Sequence, residues 1–172
     1  MLLLINSADF LVRKMDRTMK KFQLFIWVVS LQAVGFFLGM LTARNIPDWY
    51  VHLIKSPLIP PAFIFSLVWP LLYVLIAIVG YRTVNQPSSR QKKLTLSLYS
   101  IQLAMNWLWT PLFFNLHWLG FSLIWILGLF LLTGFLITCY RNFDRISAWL
   151  LLPYWLWLGF ATYLNAYIWY YN

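Results

Sequence analysis

Glutamate is missing from this chain altogether, and only four aspartates, one cysteine and two histidines are present. Each scarcity removes a class of chemistry. Hydrolysis by paired carboxylates has no support, because Asp9, Asp16, Asp48 and Asp144 all fall in loops or in the N-terminal segment. Cys139 has no second cysteine, which excludes an intrachain disulfide and a multi-cysteine metal centre, and its apolar neighbours mark it as a packed thiol rather than a nucleophile. His52 and His117 are widely separated and lack carboxylate company, so no metal site is expected, and neither is an obligatory cofactor. Charged residues make up 10% of the chain and avoid its long apolar runs. That argues against a proton-coupled transporter, an ion pump or a channel built on charged rings.

Apolar residues fill the chain instead: 62% are hydrophobic and 20% aromatic, too much for a soluble domain of 172 residues, so lipid is the expected solvent. A hydrocarbon core about 30 Å thick takes roughly 20 helical residues to cross. Five charge-free runs of that length occur, at 22–43, 62–81, 94–114, 119–140 and 148–170. The expectation is an all-α membrane protein, a five-transmembrane-helix bundle over 22–172 behind a basic N-terminal extension, 1–21. The apolar part of that extension is too short to span and its positive charge follows rather than precedes it, unlike a signal peptide. It reads as a frayed or interfacial segment, with Met15 and Met19 as alternative starts.

Five spans put the termini on opposite sides, and the Lys and Arg distribution chooses the orientation. One side collects 11 of the 13, from the N-terminal segment, from Arg82, Arg90, Lys92 and Lys93, and from Arg141 and Arg145; only Arg44 and Lys55 fall opposite. The N-terminus is therefore expected inside and the C-terminus outside, a pattern that favours a bacterial cytoplasmic membrane. The net charge of +9 is then a topology signal with contacts to anionic lipid headgroups, and nucleic acid is not needed to explain it.

Three features point towards a binding site. The first outside loop, 44–61, is long beside the third, carries Trp49, Tyr50 and His52, and is stiffened by Pro47, Pro57, Pro60 and Pro61. It suits a lid, and equally an interfacial loop with aromatic anchors. Of the 11 tryptophans, Trp27, Trp49, Trp118 and Trp169 lie near helix ends, where interfacial belts account for them. Trp69, Trp107, Trp109, Trp125, Trp155 and Trp157 lie deeper, where an indole N–H wants a partner and a flat ring can stack on a flat ligand or on a neighbouring helix. Intramembrane polar side chains face bundle interiors, and Gln32, Gln102, Asn106 and Asn165 are the conspicuous ones. Gln102 and Asn106 share a helix face, with Trp109 three residues on, offering hydrogen bonds beside a stacking plane. Interhelical bonds worth about 0.6 kcal/mol each are the competing use. Gly35 and Gly39 form a GxxxG spacing that serves a homodimer or packing within the bundle.

Taken together, these residues resemble the TspO/MBR family, also called translocator or tryptophan-rich sensory proteins, from about Phe22 onward. The resemblance is carried by Trp49-Tyr50, Lys55-Ser56-Pro57 and Pro60-Pro61 in the loop, then by Phe65, Val68-Trp69 and Tyr73. It continues through Gln102, Asn106-Trp107, Trp109 and Phe113-Phe114, and ends with Leu152-Pro153-Tyr154, Trp157, Phe160-Ala161, Leu164-Asn165 and Trp169. It implies a five-helix bundle, commonly dimeric, with a cavity beneath the first loop that takes porphyrins or haem-related molecules and, in animal relatives, cholesterol and synthetic ligands. By position, Tyr50, Pro60 and Pro61 would belong to the lid, while Trp69, Asn106, Trp157 and Ala161 would line the cavity, joined by Gln102 and Trp109. The function implied is that of a tetrapyrrole-binding sensor or regulator, with transport of porphyrins or other planar hydrophobic molecules, and light-dependent porphyrin degradation, as alternatives. Animal relatives place a basic residue after the last helical tyrosine in a proposed sterol motif, whereas none follows Tyr167 here; Leu136, Tyr140 and Arg145 meet the same loose pattern elsewhere.

Overall fold

A computed structural model describes residues 2–172, with side chains described at 15 and from 18 onward. Five long helices carry the fold: α1 (Leu2–Ala43), α3 (Ala62–Val84), α4 (Arg90–Phe114), α5 (Leu119–Phe143) and α6 (Arg145–Tyr171). The loop between α1 and α3 holds a short helix, α2 (Asn45–Asp48), and a 3-10 turn, Tyr50–His52. Each expected apolar run lies inside one long helix. The helices also extend past those runs into charged residues such as Arg82, Lys92 and Arg141, because charge marks the edge of a hydrocarbon layer and does not stop a helix. Much of the proposed extension, 1–21, continues α1 rather than forming a separate element.

Among the described residues, three segments are long and apolar enough to cross a membrane by length and composition: Thr18–Ala43, Ala62–Val84 and Leu119–Phe143. Helices α4 and α6 fall short because their spans contain Gln102, Asn106, Asn165 and many Trp and Tyr, whose polar atoms lower the hydropathy while their rings remain apolar.

The pairings are α5 against α6 and α4, α1 against α3 and α4, and α3 against α6 and α4. The core is unusual in its tyrosines: Tyr99, Tyr140 and Tyr154 are the largest fully buried side chains. Each hydroxyl has a partner on another helix, as burial demands. Tyr99 donates to the Ile76 carbonyl at 3.0 Å, and Tyr140 pairs with Thr83. Close approach is made possible by Gly80, where a Cβ would lie 2.5 Å from the Tyr99 hydroxyl oxygen and 2.7 Å from Trp27. On the basic side, Arg82 grips Asp144 through two bonds, Nε to Oδ2 at 2.9 Å and Nη2 to Oδ1 at 2.7 Å. Asp144 also caps the start of α6 by accepting from the Ser147 N–H at 3.5 Å, and accepts from the Ser147 hydroxyl at 2.7 Å. Burial alone would raise the Asp144 carboxyl, but the bonds from Arg82 and Ser147 outweigh it and hold the group below its ordinary range.

Candidate functional site

A proline and a glutamine set the local geometry. Pro70 inside α3 has no N–H to continue the helical ladder, and the Gln32 amide of α1 donates to the Pro70 carbonyl at 2.8 Å. This joins α1 to α3 next to Trp69. On α3, Phe65, Trp69 and Tyr73 recur every fourth residue and so form one stripe. The stripe faces α6: Phe65 meets Trp157 edge-on at 5.6 Å, and Trp157 in turn packs against Phe160 at 5.8 Å. Trp69 tilts against Tyr73 at 5.6 Å, and Trp69, Trp157, Phe160 and Ala161 are all only partly buried.

Asn106 links three helices beneath this stripe. Tyr73 of α3 donates to its side-chain oxygen and its amide donates to Tyr154 of α6, each at 3.0 Å. Asn106 is therefore a buried junction between α3, α4 and α6 as well as a neighbour of the aromatic stripe. One turn away on the same face, Gln102 is fully buried and neither end of its amide has a protein partner.

The deep tryptophans divide by what their indole N–H groups meet. Trp125 donates to the Met105 carbonyl at 2.8 Å, Trp155 to the Phe130 carbonyl at 3.2 Å, and Trp109 to Asn165 at 3.2 Å. These three are engaged in helix packing, the competing use the sequence left open. Trp107 and Trp157 differ, because their indole nitrogens are buried without a protein partner. The Trp27 ring, expected in an interfacial belt, packs instead against Tyr99 at 6.2 Å.

The loop 44–61 sits over the α4 end of this region. Tyr50 meets Phe113 at 6.2 Å and Phe114 at 5.4 Å, and Trp49 stacks on His117 at 3.9 Å. His117 has φ 57°, the left-handed conformation of the tight α4–α5 turn. Burial pushes the Tyr50 phenol above its ordinary value of 10.0, so it stays neutral. Trp109 stacks on Phe113 at 5.1 Å, which places it in this cluster under the loop rather than in the α3–α6 stripe. Pro60 is partly buried and Pro61 exposed, immediately before α3. The site residues expected from the sequence thus form two neighbouring groups, one around Trp69, Trp157 and Ala161 with Asn106 and Gln102 beside it, the other around Tyr50 and Trp109.

Tyr73, Tyr154 and Phe160 were visible as parts of the family pattern, but nothing in the sequence assigned Tyr73 and Tyr154 to Asn106. Their partners lie 33 and 48 residues away in the chain. The alternative sterol pattern is disfavoured by the fold, since Leu136 and Tyr140 are both fully buried.

Aromatic side chains on facing helices, under a proline-stiffened loop, are the architecture of a helical membrane protein. Family comparison agrees with that class: the TspO/MBR family model matches residues 27–170, and the chain belongs to this family of integral membrane proteins. It is 34% identical over 145 residues to the translocator protein of Bos taurus, covering 81% of this chain and 84% of that protein. It is 32% identical over 118 residues to the tryptophan-rich sensory protein of Cereibacter sphaeroides (69% and 73%), and 31% identical over 122 residues to protein CrtK of Rhodobacter capsulatus (70% and 76%).

Proposed function

We propose that this protein is a membrane-embedded sensor or regulator that binds a planar tetrapyrrole, a porphyrin or haem-related molecule, between α3 and α6 beneath the outer loop. In this reading all five long helices span a bacterial cytoplasmic membrane, with the N-terminus inside and the loop outside. The observation that carries it is Trp157: its ring is partly buried edge-on to Phe65, while its buried indole N–H has no protein partner. A buried donor without a partner costs free energy that a guest bearing an acceptor can recover.

Trp69 and Trp157 supply stacking faces worth about 0.5 to 1.5 kcal/mol each beyond burial. Asn106, with one amide hydrogen and one oxygen lone pair beyond its two tyrosine bonds, and Gln102, with its whole amide free of protein partners, offer polar contacts to a guest edge. Among the described residues no group of three or more His, Cys, Asp or Glu could hold a metal ion, and this reading draws on contacts to the ring of the guest.

The test is quenching of tryptophan fluorescence by protoporphyrin in detergent, comparing the parent with Trp69→Phe and Trp157→Phe. Saturable quenching is expected, with affinity about two- to tenfold weaker in each variant, the range that lost stacking implies. Identical, non-saturating quenching in all three proteins would show partitioning into the micelle and defeat the reading.

A further inference from the structure

The outer loop is fastened at its two sides by different chemistry. Towards α4 the fastening is aromatic: Trp49 stacks on His117 and meets Phe113 edge-on at 5.7 Å, and Tyr50 packs on Phe113 and Phe114. Towards α6 it is made of hydrogen bonds. The side-chain amide of Asn172 accepts from the Ile54 N–H at 2.9 Å and donates to the Ile54 carbonyl at 3.1 Å, matching both backbone groups of one residue. The same amide donates to the Ile168 carbonyl at 2.8 Å, which fixes it on the end of α6. Two residues along the loop, the Ser56 hydroxyl pairs with the Tyr163 hydroxyl at 2.8 Å and accepts from the Leu58 N–H at 3.1 Å. Between the two sides, the Lys55 ammonium donates to the Val51 and Leu53 carbonyls and lies 4.9 Å from the Tyr50 ring centre. That cross-tie makes the corner stiff.

These fastenings respond differently to water. The Ile54 bonds are exposed and exchange for bonds to water at little net cost, and the part-buried Ser56–Tyr163 bond is a single neutral pair, whereas separating stacked rings exposes apolar area. We propose that loop 44–61 is a strap that opens from its α6 side, with Asn172 and Tyr163 as the latch and the Trp49–His117–Phe113 cluster as the hinge, so that guests enter between the strap and α6. The guest route rests on the site proposed above, but the direction of opening does not.

Amide hydrogen exchange without any guest tests the direction. The N–H groups of Leu58 and Ile59 bond to Ser56, not to Asn172. In Asn172→Ala their exchange is expected to rise about tenfold while residues 49–52 stay unchanged. No change at Leu58 and Ile59, or an equal rise in both halves of the loop, would overturn the latch. A second arm follows protoporphyrin association in a Cys139→Ser background. In Ile54→Cys with Asn172→Cys, a short reducible crosslinker should slow association by at least about tenfold until reductant is added, whereas the crosslinker in Asn45→Cys with Asn115→Cys, on the hinge side and leaving the ring cluster intact, should alter it by no more than about twofold. The opposite pattern would put the opening at α4. If the uncrosslinked protein takes up no protoporphyrin, the proposed guest fails while the exchange result still decides the strap.

Discussion

The basic-side half of the bundle and the half under loop 44–61 use aromatic side chains for opposite ends. In the basic-side half, Tyr99 and Tyr140 are sealed and hydrogen-bonded, Gly80 lets a ring reach the backbone, and Arg82 ties α3 to the α5–α6 turn through Asp144. In the half under the loop, Trp69, Trp157, Phe160 and Ala161 are only partly buried, and the Trp157 indole N–H is left without a partner. A closed, satisfied half resists rearrangement, while a half with open ring faces and an unmatched donor can be completed by something else. Asn106 stands at the boundary and belongs to both. Such a division would give a rigid base to the guest site proposed above.

The comparison is broken most severely at that boundary. Asn106→Leu leaves the Tyr73 and Tyr154 hydroxyls without their shared partner, and should lower unfolding free energy in detergent by about 2 to 4 kcal/mol, one buried unsatisfied group on each neighbouring helix. Guest binding should fall with it. Trp157→Phe sharpens the contrast: it removes a donor that bonds to nothing in the protein, so only ring packing is lost and stability should fall by about 1 kcal/mol or less while protoporphyrin affinity drops.

Next in size is Gly80→Ala. Its added Cβ would collide with the Tyr99 hydroxyl and Trp27, and overpacking of this kind costs about 1 to 3 kcal/mol. Thermal unfolding should shift down, with guest affinity per folded molecule unchanged because the collision lies in the sealed half. A comparable fall in affinity would show that the two halves are not separable.

Asp144→Asn should cost about 1.5 kcal/mol by weakening the charge-assisted bonds from Arg82. The pH dependence has a defined sign. A carboxyl held below its ordinary value of 3.8 stabilises the fold fully above that value, and the contribution fades as the pH falls below it towards the depressed folded value. The parent should therefore lose this increment on acidification, and the Asn variant should lack that part of the acid sensitivity in denaturation monitored by circular dichroism.

How much of this was legible in the sequence follows from the range of each signal. The apolar runs were local, and each fell within a long helix. Trp69 and Trp157 could be singled out because their positions in the family pattern matched. The tyrosine core could not: a tyrosine near a span end reads as an interfacial anchor, and only the fold shows that Tyr140 meets Thr83, 57 residues away. Arg82 with Asp144 was hidden in the same way, since each appeared only as a loop charge and their pairing spans 62 positions. The loop's fastening to Asn172 crosses 118 positions and involves backbone groups of Ile54, which carry no sequence signature at all.

The smallest effect separates two glycines that the sequence presented as one feature. At Gly35 a Cβ would lie 2.5 Å from the Tyr73 ring, whereas at Gly39 nothing lies within 4 Å. Gly35 therefore serves packing inside the bundle, and Gly39 lies on open surface of the single chain, beside exposed Phe36, Phe37 and Met40. Gly35→Ala should destabilise, because Tyr73 cannot swing aside without releasing Asn106. Gly39→Ala should be neutral or stabilise by up to about 1 kcal/mol, since alanine favours the helix. The two can be compared in one unfolding series, with the dimer fraction followed in parallel by chemical crosslinking in detergent. A dimer fraction that falls in Gly39→Ala, with stability of the single chain kept, assigns the open half of the spacing to a contact between copies; an unchanged fraction leaves that surface to lipid.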